Sequence, residues 1–182
     1  FPTRELFQEK LEEFDLIIFD RYERLGILPP IYIDNIARFV EEKGGAVLIA
    51  AGEEYASPGS IFNTPLAQVL PAAPTGEVVE EAYKPRLTDL GERHPVTQGL
   101  EGASKTDPKW GRWFRLVDTT TITGDTVMSG LGEKPLLVLS RTGKGRVAQA
   151  PLAQEFKRMF ANEEALGGAR KAAQFRDESK TF

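Results

Sequence analysis

Two clusters of acids, each at the end of an apolar run, carry the residue types that do proton or metal chemistry. The first is Asp20-Arg21-Tyr22, after "DLIIF"; the second is Gly52-Glu53-Glu54-Tyr55, after "AVLIAA". A carboxylate at a strand end acts as a general base when partial burial raises its pKa. Asp20 and Glu53 can also share a divalent cation, although hard-cation sites usually want more oxygen ligands than that. The plainer expectation is that Glu53 or Glu54 caps nearby backbone N–H groups while the other is solvated, because a catalytic acid needs a matched partner. Arg21 and Tyr22 can hold an anionic ligand. The plainer expectation is a salt bridge between Arg21 and a nearby acid such as Glu23 or Glu53. No cofactor and no metal are expected.

Three further motifs carry weaker signals. "WGRWFR" interleaves Trp110 and Trp113 with Arg112 and Arg115, a pattern that stacks sugars or bases or forms a partner's hot spot. The bland alternative is a strand whose Trp113 or Phe114 fills the core while Arg112 and Arg115 face water. We take Trp110, Arg112 and Trp113 as a candidate interaction patch. "TGKGR" (Thr142 to Arg146) lacks the spacing of a phosphate loop and joins two strands, so it is expected to be a hairpin tip. His94, the single histidine of the chain, lies in "ERHPVTQGL", read as a turn in which the imidazole bonds backbone.

The elements that must position these residues follow from periodicity. "LFQEKLEEF" suits a short amphipathic helix. "FDLIIFD" is a continuous apolar run between acids, expected to be a central parallel strand buried on both faces. A second helix is expected to start near Pro30, to bury Ile33, Ile36, Ala37, Phe39 and Val40, and to stop at "KGG". "AVLIAA" is then the next parallel strand, completing a βαβ unit whose ligand edge lies beyond the strands' C-terminal ends. "TPLAQVLPA" reads as a short helix capped by Thr64, and "EVVEEAY" as a strand. The stretch from Trp113 to Leu152 gives three or four strands, with "KPLLVLSRTGKGRVAQA" a hairpin. Helical spacing returns at Phe156, Met159 and Phe160, and residues 165–182 read as a poorly ordered tail.

Bulk properties narrow the classes. With 182 residues, 27% charged and 41% apolar, one domain spanning 1–182 is expected. A net charge of -4 argues against a general nucleic-acid binder. No apolar run is long enough to cross a membrane as a helix. Cysteine is absent, which removes disulfides, thiolate metal sites and cysteine nucleophiles together. The start at Phe1, without Met or signal peptide, reads as a processed chain or a piece of a longer one.

Taken in order, "FDLIIFD", "FVEEKGG" and "AVLIAAGEE" resemble the middle of the class I glutamine amidotransferase-like fold, a flavodoxin-like group that includes the ThuA-like proteins. "TPLAQVLPA", "RLTDLGERHPVTQGL" and "KPLLVLSRTGKGRVAQ" resemble a bacterial branch in which the domain sits inside long membrane proteins. The resemblance covers roughly residues 4–150. It implies an α/β fold with a mostly parallel sheet flanked by helices, here with an antiparallel C-terminal extension. It also implies a first strand before Phe1.

The catalytic members carry an elbow Cys, a His and Glu after the last strand, and an oxyanion hole. The elbow falls here at Ala51 or Gly52, the His position near Pro151 or Leu152, and the Gly-Gly pair is replaced by "DRYERLG". The expectation is therefore a non-catalytic binding or assembly module of a membrane-associated bacterial protein. Its partners would be other domains of the same chain or a separate protein. The alternatives are a carboxylate-dependent hydrolase using Asp20 and Glu53 or Glu54, and a ThuA-like sugar-related protein.

Overall fold

The computed structural model describes residues 2–150. The positions Pro151 and Leu152, the helical spacing at Phe156, Met159 and Phe160, and the tail 165–182 lie outside the described residues.

The βαβ unit forms where the apolar pattern placed it. β1 (Leu16–Asp20) leads into α1 (Pro30–Arg38), and β2 (Ala46–Ala50) returns parallel to β1, pairing Leu16 with Ala46 through Asp20 with Ala50. Pro30 starts α1, where its missing N–H costs nothing. Ile33, Ile36 and Ala37 form its buried stripe at helical spacing. The helix widens into one π turn over Phe39–Lys43 and stops at Gly44, whose φ of 85° is left-handed. Gly45 adds a second stop, because a Cβ there would lie 2.0 Å from the Phe39 ring.

β8 (Gly145–Ala150) pairs parallel to β2, and β7 (Pro135–Thr142) folds back antiparallel on β8 through the expected "TGKG" hairpin. β6 (Asp125–Ser129) and β4 (Arg86–Leu87) continue antiparallel, giving a six-stranded sheet in the order β1-β2-β8-β7-β6-β4. β3 (Ala72–Val79) and β5 (Leu116–Thr121) form a separate two-stranded antiparallel sheet.

An α/β fold stands, with three differences from the sequence expectation. The sheet is mixed: β1-β2-β8 run parallel and β7, β6 and β4 extend it antiparallel, so the expected extension is present but the parallel part is only half of the sheet. Helices are few. Among the described residues α1 is the one α-helix, and "LFQEKLEEF" and "TPLAQVLPA" form only π or 3₁₀ turns. Finally, among the described residues "FDLIIFD" is the outermost strand of the sheet and is not buried on both faces: Phe19 is buried, but Ile18 on the opposite face is 56% exposed. A continuous apolar run cannot tell an edge from a centre, since periodicity reports faces and not neighbours.

The two faces of the parallel half are covered unequally. Val47, Ile49, Phe19 and Val147 pack under α1 and the turns of residues 53–70. On the other face Ala148, Leu139 and Val127 meet Val96, with Leu48 only partly buried.

Candidate functional site

The C-terminal ends of β1, β2 and β8 lie side by side, and the ladder continues one step past them. The Arg21 N–H donates to Ala50 O at 2.8 Å and the Ala51 N–H to Ala150 O at 2.9 Å. Past that point the ends of β1 and β2 are built differently.

At the end of β1, Arg21 takes a positive φ of 47°, a conformation that non-glycine residues rarely adopt. Its guanidinium Nε lies 3.5 Å from Asp20 Oδ1, so it does pair with a nearby acid, its own neighbour. Tyr22 packs edge-on against Phe19 with ring centroids 5.3 Å apart. Its hydroxyl oxygen is closed off from water and has no hydrogen-bond partner among the described residues, and burial pushes the phenol pKa up while nearby Arg24 pulls it down.

At the end of β2, Gly52 stands extended and opens a 3₁₀ turn over Glu53–Ala56. Its N–H donates to Glu54 Oε1 at 2.6 Å. A Cβ at Gly52 would lie 2.6 Å from Glu54 Oε2 and 3.1 Å from Arg21 Cγ. The space into which an elbow side chain would project is therefore filled by the Glu54 carboxylate. Tyr55 is 2% exposed, and its hydroxyl donates to Ala72 O at 2.6 Å. Burial drives its pKa far up, so it is a neutral structural anchor and not an acid or base near neutral pH.

Gln149, the last polar residue of β8, completes this anchor from below. Its Nε2 donates to Ala72 O at 3.0 Å and its Oε1 accepts from the Ala72 N–H at 3.2 Å. The start of β3 is thus clamped by a side-chain amide that mimics a peptide. Gln149 escaped the sequence reading, although a lone amide in the apolar run "RVAQA" is the signal that marks it.

Glu53 turns away from Glu54. Its Oε1 accepts from Arg115 Nη1 at 2.8 Å, and Arg115 Nη2 reaches Glu80 Oε1 at 2.5 Å. Arg115, expected to face water, instead joins "WGRWFR" to "GEEY" in one carboxylate–guanidinium–carboxylate bridge. Glu80 had carried no signal in sequence. Asp20, the natural partner for Glu53 by strand order, forms its ion pair with Arg21 instead. Among the described residues no three His, Cys, Asp or Glu side chains gather into a metal-holding group.

The aromatic patch divides. Trp113 is 6% exposed, packs edge-to-face on Tyr83 at 6.2 Å, and exchanges both backbone hydrogen bonds with it. It belongs to the core and not to an interaction surface. Trp110 is half-buried with its Nε1–H donating to Glu101 O at 2.8 Å. Arg112 and Phe114 are the members that face solvent, Phe114 at 60%. His94 accepts the Val96 N–H on Nδ1 at 3.2 Å inside its turn, and burial lowers its pKa against the opposing pull of Asp125.

No family model matches the chain, and no curated protein matches it. Solved structures do. The chain is similar to the cytoplasmic protein STM3548 of Salmonella typhimurium, with a TM-score of 0.66 and 19% identity over 81% of this chain and 67% of that one. It is similar to the cytoplasmic protein STM1381 of Salmonella typhimurium LT2, with a TM-score of 0.62 and 20% identity over 84% and 69% of the two chains. It also matches part of an exo-β-1,4-mannosidase, Op5Man5 from Opitutaceae bacterium strain TAV5, with a TM-score of 0.51 and 14% identity over 95% of this chain but 30% of the enzyme. Identities this low establish shared fold alone. Among the described residues no helix is long and apolar enough to cross a membrane.

Proposed function

We propose that the chain is a non-catalytic binding or assembly module of the class I glutamine amidotransferase-like kind, working within a larger bacterial, membrane-associated protein or against a protein partner. The observation that carries this reading is the filled elbow. Gly52 has no side chain, and the Glu54 carboxylate sits where one would project, bonded to the Gly52 N–H at 2.6 Å. Covalent chemistry needs a nucleophile with a base within hydrogen-bond reach. The acids of the site are engaged in other work: Glu54 in the turn, Glu53 with Arg115. A carboxylate-dependent hydrolase would need Asp20 and a Glu converging on one space, and Glu53 and Glu54 point to different partners.

The test is an assay of the chain for ammonia release from glutamine and for ester hydrolysis, alongside Glu53→Gln and Asp20→Asn. The expected result is no turnover above buffer in all three. Turnover that disappears in Glu53→Gln would sink the non-catalytic reading in favour of the hydrolase.

A second reading, a sugar-related module, is favoured by the match to a segment of the mannosidase chain. It is also favoured by the exposed Phe114 ring beside Arg112, because carbohydrate surfaces stack on aromatics. A thermal-shift screen with mannosides and galactosides discriminates it: stabilisation that Phe114→Ala removes supports this reading.

A further inference from the structure

We propose that Arg141 and Arg146 form an anion site that takes a phosphate dianion, free or as a phosphate monoester. The site lies at the other end of β8 from the strand-end site and stands apart from the reading of that site. Arg141 of β7 is directly opposite Arg146 of β8 in the antiparallel ladder. The Arg146 N–H donates to Gly45 O at 3.2 Å, toward β2 and away from β7. A residue in an antiparallel ladder turns both backbone groups to one side, so this is a non-hydrogen-bonded pair, the kind whose side chains stand closer. Two guanidinium stems therefore start on one face with Cβ atoms about 5 Å apart.

Like charges directly opposite each other destabilise a sheet. Among the described residues no carboxylate pairs with either arginine, and the Arg146 Nε is closed off from water with no hydrogen-bond partner. Burial, and after it the charge of Arg141, pull the pKa of Arg146 down. Asp125, one row along on the same face, stands opposite Leu139, and its charge acts on His94. The pair is thus charged, partly dehydrated and self-repelling. A dianion between the two guanidinium groups cancels both charges and gives Nε an acceptor. Two planar forks match the several oxygens of a tetrahedral dianion, whereas a carboxylate fills one fork.

The hairpin that carries the pair is firmly seated. The Lys144 N–H donates to Glu41 O at 2.9 Å. A Cβ at Gly143 would lie 2.3 Å from Glu41 O, and one at Gly145 2.3 Å from Val40 O, so the turn rests directly on the π turn that follows α1. Val147 packs on that side with Val40. Arg146 alternates with Val147 and so falls on the opposite face, in line with Ala148 and Leu139. "TGKGR" is therefore no phosphate loop, which offers backbone N–H groups at a helix start. It offers side-chain cations held across two rigid strands.

The test is thermal shift and titration calorimetry of the full chain with inorganic phosphate, at fixed ionic strength and about pH 8, where phosphate is dianionic. Phosphate is expected to raise the melting temperature in a saturable way, and chloride at the same ionic strength to give none of that rise. Arg141→Gln is expected to weaken phosphate binding by about tenfold or more, since it removes charge-assisted bonds. In phosphate-free buffer the same variant is expected to melt no lower than the parent chain, because it relieves the repulsion. Arg86→Gln, at an exposed arginine of β4, is expected to bind phosphate as the parent does. A shift as large with methyl phosphate places an esterified phosphoryl group in the site, and a shift confined to inorganic phosphate places the free ion there; both bear the proposal out. No saturable shift overturns it, as does equal binding by Arg141→Gln or an equal loss in Arg86→Gln. Arg141→Gln melting lower without phosphate overturns it too, because a carboxylate then already holds the arginine.

Discussion

The segments that follow β1 and β2 leave neighbouring strand ends, yet they are built in opposite ways. After β2 the chain dives inward: Tyr55 is buried, and its hydroxyl joins Gln149 on the Ala72 carbonyl. After β1 the chain stays outside, turns through a positive φ at Arg21 and runs into a loop that exposes Leu25 and Ile27. Each segment brings a tyrosine to the edge of the core. One tyrosine has its hydrogen bond and the other does not. The contrast teaches where order comes from at this edge. The β2 segment is held by buried polar bonds, and the β1 segment leans on it through Arg24, whose N–H donates to Gly59 O at 2.9 Å and whose Nη1 donates to Asn63 O at 3.3 Å.

The largest effect expected from this contrast is at Gln149. Gln149→Ala removes a fully buried amide and leaves the Ala72 N–H without its partner. The orphaned group and the cavity together should cost about 3 kcal/mol. Urea unfolding with an unchanged m-value measures it. A loss no larger than that of an exposed substitution would mean that the β2 segment is not held from below.

Tyr55→Phe comes next. It keeps the ring against Phe62, 6.2 Å away, and removes only the hydroxyl. The Ala72 carbonyl retains its bond from Gln149, so the cost should be about 1 kcal/mol. A double-mutant cycle with Gln149→Ala should show coupling, because both groups serve one carbonyl.

A smaller effect is expected at the surface bridge. Arg115→Ala frees Glu53 and Glu80, both more than half exposed, and the loss should stay below about 1 kcal/mol. Added salt should erase most of it. Persistence of the full difference at high salt would mark the bridge as more than a solvated ion pair, and would raise Glu53 again as a functional residue.

The same contrast explains what was legible in sequence. The βαβ unit, the "KGG" stop and the "TGKG" hairpin were readable because each is written in local chemistry: a proline at the first helical position, glycines where φ is positive or a ring crowds the chain, alternating strands around a tight turn. Glu54 as a backbone cap was readable for the same reason, since its partner is two residues away. What depended on distant neighbours was not readable. The place of β1 at the end of the described sheet depends on strand order, which the run itself does not carry. The meeting of Arg115 with Glu53 spans a separation of 62 residues, and that of Gln149 with Ala72 one of 77. "WGRWFR" was misassigned at Trp113 because an aromatic beside an arginine looks the same whether its ring packs on Tyr83 or faces water.

The smallest expected effect, and the sharpest test of the contrast, is at the second tyrosine. The Tyr22 hydroxyl is shut away from water with no hydrogen-bond partner among the described residues, so folding costs it a hydration shell that none of them replaces. Tyr22→Phe removes that penalty and keeps the contact with Phe19. Stability should therefore be unchanged or rise by up to about 1 kcal/mol, opposite in sign to Tyr55→Phe. The alkaline limb of the stability curve separates the two residues further. Burial raises both phenols above the ordinary value of 10.0, so the unfolded chain releases its protons first. The tyrosines' contribution is complete below that value and falls as pH rises above it. Tyr55→Phe should flatten this fall more than Tyr22→Phe, since Tyr55 is shifted the further. If Tyr22→Phe instead destabilises as much as Tyr55→Phe, its hydroxyl has a partner in solution. The β1 segment would then be as firmly anchored as the β2 segment.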